Sequence, residues 1–260
     1  MNIAMLGAGA FGQALGKILT DNGHAVKYYD PILYPDVNLD AATYEAAMIV
    51  IAVPSLAIDT LLANYPDRLK KVPTILATKG LLNADAFQDF TQFSVFSGPA
   101  FASEIMEGKP ATMTSSSPVA MGIFHNDNIS VELCEDINGI LLCGALKNIY
   151  AIGSGYYSYS ENMTAAFIQH AHAEMKNYLA DHDCDPQTAE LSCGLGDLIL
   201  TCTCETSRNF RCGKMLREGR SIDEILDKLK TIEGLSALLK VETDKYQLLR
   251  EIKQLAGYQN

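Results

Sequence analysis

One ammonium and one amide stand in the middle of an otherwise apolar run. They are Lys147 and Asn148, within Gly144-Ala145-Leu146-Lys147-Asn148, itself part of residues 139–152. Burying a lysine is costly unless it is paired or gives up its proton. Lys147 therefore either snorkels to solvent along its stem or is held inside to move a proton. The flanking Leu146 and Ile149 favour the second. Further on, Gly194-Leu195-Gly196-Asp197-Leu198 sets a carboxylate in an apolar, glycine-punctuated stretch. Ser207-Arg208-Asn209 puts a guanidinium between two hydrogen-bonding side chains. Arginine suits bidentate binding of phosphate or carboxylate. Taken alone, though, the tripeptide reads as a helix cap, as does Ser221 ahead of Glu224.

A second chemistry is written at the N-terminus in Gly7-Ala8-Gly9-Ala10-Phe11-Gly12. The short apolar strand 2–6 runs into it. A helical pattern of Ala14, Leu15, Ile18 and Leu19 follows, then a second strand over 25–29 ending at Asp30-Pro31. Strand, glycine turn, helix, strand and acid within about 30 residues is the dinucleotide-binding arrangement. Gly7 permits the tight turn, Gly9 lets the backbone approach a pyrophosphate, and Gly12 lets the helix pack on the strand. The pyrophosphate sits at the helix N-terminus, where N–H groups and the dipole favour anions. Asp30 stands where an acid accepts the adenosine ribose hydroxyls and repels a 2′-phosphate, so NAD is expected over NADP. The plainer alternative is a strand-ending Asp-Pro turn.

The elements that position these groups alternate. Residues 47–53 are apolar throughout, as in a strand buried on both faces. A helix is expected over 56–64, and strands over 74–77 and 93–96. Pro54-Ser55, Thr78-Lys79 and Ser97-Gly98 all lie at strand C-terminal ends, where such sheets bind ligands. This predicts a doubly wound α/β sheet. From Thr112 the pattern loosens: 115–118 reads as a loop, and 119–124 with 129–133 as a strand pair around His125-Asn126-Asp127-Asn128. After Asp136 only helices are expected, over the Lys147 segment and residues 163–180, 186–192, 208–218, 222–229 and 235–255. A Rossmann-like domain over 1–137 and a helical substrate domain over 138–260 follow. No internal repeat or low-complexity tract appears.

The net charge of −11 argues against nucleic-acid and anionic-membrane partners. No apolar run spans a bilayer, and the N-terminus lacks a signal-peptide pattern, so the cytoplasm is expected. The seven cysteines are scattered, Cys202-Thr203-Cys204 lacks zinc-site spacing, and free buried thiols are expected. His170 and His172, two apart, share no helical face and read as non-ligands. No metal is expected. Tyr156, Tyr157 and Tyr159 either line a cleft or pack.

Six ordered stretches together resemble the NAD(P)-dependent glycerol-3-phosphate dehydrogenase family. They are G-A-G-A-F-G at Gly7, A-T-K-G at Ala77, S-G-P-A-F-A-S-E at Ser97, G-A-L-K-N at Gly144, G-L-G-D-L at Gly194, and S-R-N at Ser207, with an E-G echo at Glu233. The resemblance implies a Rossmann-like domain followed by an all-helical one, and a homodimer. It makes Lys147 the general acid/base, held and charge-balanced by Asp197, with Lys79 at the substrate end of the cofactor. Gly7, Gly9, Ala10, Phe11, Gly12, Asp30, Pro54, Lys79, Ala102, Arg208 and Glu233 are implied at the cofactor. Lys79, Gly98, Asn148, Thr201, Ser207, Arg208 and Asn209 are implied at a small phosphorylated substrate. For Arg208 the rival partners are the cofactor pyrophosphate and an acid on a neighbouring helix. Within that family the chain looks like a short, C-terminally truncated member. Ala100 replaces the usual Ser or Thr, the segment between Ser117 and Ile129 is shortened, and the usual arginines are missing around Thr164 and His170, while Asn162 remains. The leading expectation is reduction of dihydroxyacetone phosphate or oxidation of sn-glycerol 3-phosphate. A different phosphorylated polyol, or a cofactor-binding sensor without turnover, are the alternatives.

Overall fold

In the computed structural model, which describes residues 1–80 and 83–258, the chain divides into two compact units. The first comprises Met1–Lys79 and Asn83–Ile137, and the second begins in earnest at Asn138. The first is built on one sheet of seven strands. Strands β1 (Asn2–Leu6), β2 (Ala25–Tyr29), β3 (Met48–Ile51), β4 (Thr74–Leu76) and β5 (Phe93–Ser97) pair in parallel in the order β2-β1-β3-β4-β5. From Ile3 to Leu6 every residue of β1 is buried, as is all of β3. Continuous apolar runs of this kind suit strands covered on both faces. The crossover helix α1 (Ala10–Asp21) buries Ala14, Leu15, Ile18 and Leu19 at helical spacing. Shorter helices α2 (Leu39–Thr43), α3 (Ile58–Ala63) and α4 (Ala102–Met106) complete the α/β part. Residues 56–64, expected as one helix, begin with the tighter turn Ser55–Ala57.

Beyond β5 the structure corrects the sequence reading. Residues 119–124 are not a strand but part of helix α5 (Pro118–Phe124). The Ser117 hydroxyl caps the N–H groups of Val119 and Ala120, and Pro118 occupies the first turn, where its missing N–H costs nothing. Ala120, Ile123 and Phe124 then face inward at helical spacing, with Phe124 stacked on Phe96 at 4.2 Å between centroids. The expected partner of 129–133 is supplied instead by β6 (Ala111–Ser115), a strand the loosened pattern hid. It pairs antiparallel with β5 and parallel with β7 (Ile129–Leu133).

Among the described residues after Asp136 there are no strands. Helix α6 (Ile137–Tyr157) is buried from Gly139 to Gly155 on every face, as an apolar helix in the centre of a bundle must be. Against it lie α7 (Glu161–Asp181), α8 (Asp197–Thr203), α9 (Arg208–Arg217), α11 (Glu233–Leu238) and α12 (Gln247–Leu255), while α10 (Ile222–Leu229) packs on α9. Residues 235–255 were expected as one helix and form two. No side chain of its own N-cap starts α12; the Glu174 carboxylate, on α7, accepts the N–H groups of Leu248 and Leu249 at 2.8 and 3.0 Å. The start of α12 is therefore capped by a distant acid, not by a local side chain. Residues 186–192 split likewise into a 3-10 turn, Pro186–Glu190, and a π-helical turn, Ser192–Gly196. Among the described residues no helix is long and apolar enough to cross a membrane.

Candidate active site

In the first unit the glycine loop joins β1 to α1. Gly7 has φ +101°, a conformation that disfavours side chains, and a Cβ there would also meet the Ala52 backbone at 2.7 Å. A Cβ on Gly12 would lie 2.0 Å from the Gly7 carbonyl oxygen, so the loop closes only with glycine at both places. Gly9 is the N-cap of α1, no side chain caps that turn, and among the described residues none beyond its chain neighbours lies within 4 Å of where its Cβ would be. Open space over uncapped helical N–H groups, with Ala10 and Phe11 in the first turn, fits a dinucleotide pyrophosphate.

Asp30 faces this loop directly. One carboxylate oxygen accepts the Ala8 N–H at 2.9 Å; the other accepts those of Ile32 and Leu33, both at 3.0 Å. Burial works to raise the pKa, but the N–H groups of Ala8, Leu33 and Ile32 together hold the carboxyl below its ordinary value. The acid is thus both a turn cap and a tie to the glycine loop. Lys79 follows β4; its Nζ donates to the Gly98 carbonyl at 3.1 Å and lies 5.3 Å from the Phe11 ring centroid. Gly98 directly follows β5, where a Cβ would meet the Met113 Cα at 2.9 Å. Of the expected residues in this unit, the structure draws the loop to Asp30 and Phe11 to Lys79 and Gly98. Pro54 stands exposed after β3, and Ala102 opens α4, without such side-chain ties.

In the second unit Lys147 is 4% exposed and Asp197 1%. Lys147 Nζ donates to Asp197 Oδ1 at 2.8 Å and to Thr201 Oγ1 at 3.0 Å, and Thr201 Oγ1 donates to the same Asp197 oxygen at 3.3 Å. Asp197 and Thr201 are one helical turn apart on α8, so both side chains reach α6 from one face. Ser154 ties the two helices by donating to the Cys202 carbonyl at 2.7 Å. Burial pushes the Cys202 thiol up to about 12, against the opposing pull of Lys147, so the thiol stays neutral and is no nucleophile. Thr201, expected at a phosphate, belongs to the lysine's own triangle.

Asn148 and Asn209 are buried and bonded to each other. Asn209 Nδ2 donates to Asn148 Oδ1 at 3.0 Å, and its Oδ1 accepts the Gly234 N–H at 2.9 Å. The pair links α6, α9 and the start of α11. Ser207 caps α9, its hydroxyl accepting the Phe210 N–H at 3.2 Å. Arg208 donates to Thr231 Oγ1 at 2.6 Å and to the Glu233 carboxylate. Its side chain remains 41% exposed, and its bonds to the described residues use two of its five N–H donors. Thr231 and Gly234 were not anticipated; the E-G pair at Glu233 was the only local sign of them. Among the described residues no group of three or more His, Cys, Asp or Glu side chains is placed to hold a metal ion.

Comparisons with known proteins bear on these two sites. The family model for the NAD-dependent glycerol-3-phosphate dehydrogenase N-terminus matches residues 2–31 and 28–121, and that for the C-terminus matches 136–254. A glycerol-3-phosphate dehydrogenase [NAD(P)+] of Geobacillus kaustophilus is 34% identical, over 96% of this chain and 86% of the relative. The crystal structure of glycerol-3-phosphate dehydrogenase from Coxiella burnetii superposes with a TM-score of 0.82 at 26% identity, covering 100% of this chain and 91% of that one. The Plasmodium falciparum glycerol-3-phosphate dehydrogenase shares the fold, with a TM-score of 0.83 at 18% identity over 98% of this chain and 90% of that one.

Proposed function

As the chain belongs to the NAD-dependent glycerol-3-phosphate dehydrogenase family, we propose that it interconverts dihydroxyacetone phosphate and sn-glycerol 3-phosphate, with Lys147 moving the proton. The observation that carries this reading is the sealed contact of Lys147 with Asp197 and Thr201. Buried ion pairs are seldom needed for stability, since apolar residues of similar size do as well. A buried ammonium whose orientation is fixed by two acceptors is what proton delivery needs.

When bound, NADH supplies the hydride. The residues of the first unit hold it: the N–H groups at the start of α1 take the pyrophosphate, and the oxygen of Asp30 that bonds Ala8 keeps one lone pair for a ribose hydroxyl. As negative charge grows on the ketone oxygen, Lys147 Nζ gives it a proton. Asp197 and Thr201 hold Nζ in place while it does so, and the Asp197 charge favours return of the proton to the amine. In the oxidising direction the neutral amine accepts the hydroxyl proton. With the amides of Asn148 and Asn209 bonded once to each other and otherwise to the backbone of Gly144 and Gly234, Arg208 is the anchor for the substrate phosphate, Glu233 fixing its guanidinium. The buried thiols of Cys143, Cys184, Cys193, Cys202 and Cys212 fit a reducing compartment, and we assign the cytoplasm.

The test is a panel of ketones followed by NADH absorbance. Dihydroxyacetone phosphate is expected to be turned over fastest and unphosphorylated dihydroxyacetone poorly. Faster turnover of another phosphorylated ketone would reassign the substrate. NADH binding with no turnover on any of them would make the chain a cofactor-binding sensor.

A further inference from the structure

The place of Asp197 is set by the turn before it. Ser192–Gly196 is a single π-helical turn that runs straight into α8. Such turns have a looser hydrogen-bond ladder than an α-helix and depend on their surroundings. This one lies against the 3-10 turn Pro186–Glu190. A Cβ on Gly194 would stand 2.3 Å from the Ala189 carbonyl oxygen and 2.6 Å from the Ala189 Cα. These are backbone atoms that cannot swing aside. The Ala189 carbonyl is in turn held by α7, through His172, whose Nε2 is 3.1 Å away. A carbonyl oxygen only accepts, so Nε2 carries the hydrogen. The Glu190 carboxylate lies 3.5 Å from the same nitrogen, and Lys176 pairs with Glu190 at 2.5 Å. The turn is therefore pinned to α7 at two successive residues.

We propose that His172 is a positioning residue for proton transfer. By fixing the Ala189 carbonyl against Gly194 it sets the π turn, and with it the place of Asp197 and of Lys147 Nζ. His172 touches no reacting atom. The links run from His172 to Ala189, Gly194, Asp197 and Lys147, each a hydrogen bond, a backbone contact or three residues of continuous turn. The inference rests on Lys147 as the general acid.

Three variants test it: His172→Leu, which offers the carbonyl nothing; His172→Gln, whose amide N–H can replace the imidazole donor; and Gly194→Ala. For each, kcat and its pH dependence, KM for dihydroxyacetone phosphate, the NADH Kd and the melting temperature are measured. His172→Leu is expected to lower kcat about tenfold, the worth of one hydrogen bond expressed as a rate. The NADH Kd should be unchanged, and the pH dependence of kcat displaced because Lys147 has lost part of its pairing. His172→Gln should return most of the rate and the original profile. Gly194→Ala, which displaces the turn itself, should cost about 100-fold; if it does not fold, the two His172 variants decide alone. A His172→Leu enzyme with wild-type kcat and pH profile overturns the inference, whatever its melting temperature. So does a Gln variant as impaired as the Leu variant. A wild type without turnover on any ketone would instead defeat the parent reading, so the two failures are distinct.

Discussion

The two units handle charge by opposite means. In the first, the groups offered to an anion are backbone N–H groups at the start of α1, and the one acid beside them, Asp30, is itself bonded to three backbone N–H groups. In the second, the charged and polar groups brought together are side chains, Lys147, Asp197 and Thr201, from residues fifty apart in the chain and almost closed to solvent. Backbone donors survive every substitution except proline, and their charge is partial, so the first site should bend under substitution. A full charge in a dry place has no substitute partner, so the second should break.

Breaking the second site gives the largest expected effects. Lys147→Met should lower kcat about 10²–10⁴-fold, the usual worth of general acid catalysis, while NADH affinity stays at the wild-type value in a fluorescence titration. Near-normal turnover would make the lysine merely structural. Next comes Asp197→Ala, which strands a buried ammonium and should cost about 3–5 kcal/mol of stability by denaturant unfolding. Adding Lys147→Met to it should recover part of that loss, because the stranded charge is then gone. Simple additivity would contradict the pairing.

Arg208 lies between the two extremes, being a charged side chain yet partly exposed. Arg208→Ala should lower kcat/KM for dihydroxyacetone phosphate by about 1.5–3 kcal/mol, mostly through KM. If NADH Kd rises instead and discrimination against unphosphorylated dihydroxyacetone survives, the arginine serves the cofactor. At the first site the effects are smaller. NADH should exceed NADPH in kcat/KM by about tenfold, because the Asp30 carboxylate meets a 2′-phosphate; equal values would remove that role from Asp30. The weakest effect is one of pH. The N–H groups around Asp30 hold its folded pKa below the unfolded value of about 3.9. The stability this adds is therefore complete above that value and lost as pH falls through the lowered folded one. Calorimetric NAD+ affinity should stay flat through mild acid and weaken only below about pH 4. Weakening already near pH 6 would implicate another group.

The same contrast explains what was readable beforehand. The strand, glycine turn, helix and strand that carry Gly7, Gly9, Gly12 and Asp30 were legible because their shape follows from local chain geometry, which spacing records. Residues 118–124 carried two local signals: Val119 and Ile123 favoured a strand, whereas Ser117-Pro118 is a helix start, and the cap won. Strand β6 was hidden because its alternation of Ala111 and Met113 with Thr112 and Thr114 is only a few residues long and runs into Ser115-Ser116-Ser117-Pro118; in the sheet it is paired with β5 on one side and β7 on the other. The single helix expected over 235–255 failed because Glu174 starts a new one at Gln247.

From its sequence alone this protein had a dinucleotide loop, an alternating α/β half, a helical half, and a lysine in a place where a lysine is expensive. Those properties depend on residue types within a turn or two of each other. The tertiary structure decided the partners: Lys147 with Asp197 and Thr201, Asn148 with Asn209, Arg208 with Glu233, and His172 with the Ala189 carbonyl. A buried polar group must find a partner, but which one it finds depends on which helix faces meet. That meeting is settled by the packing of the whole bundle around α6, and no spacing along the chain encodes it.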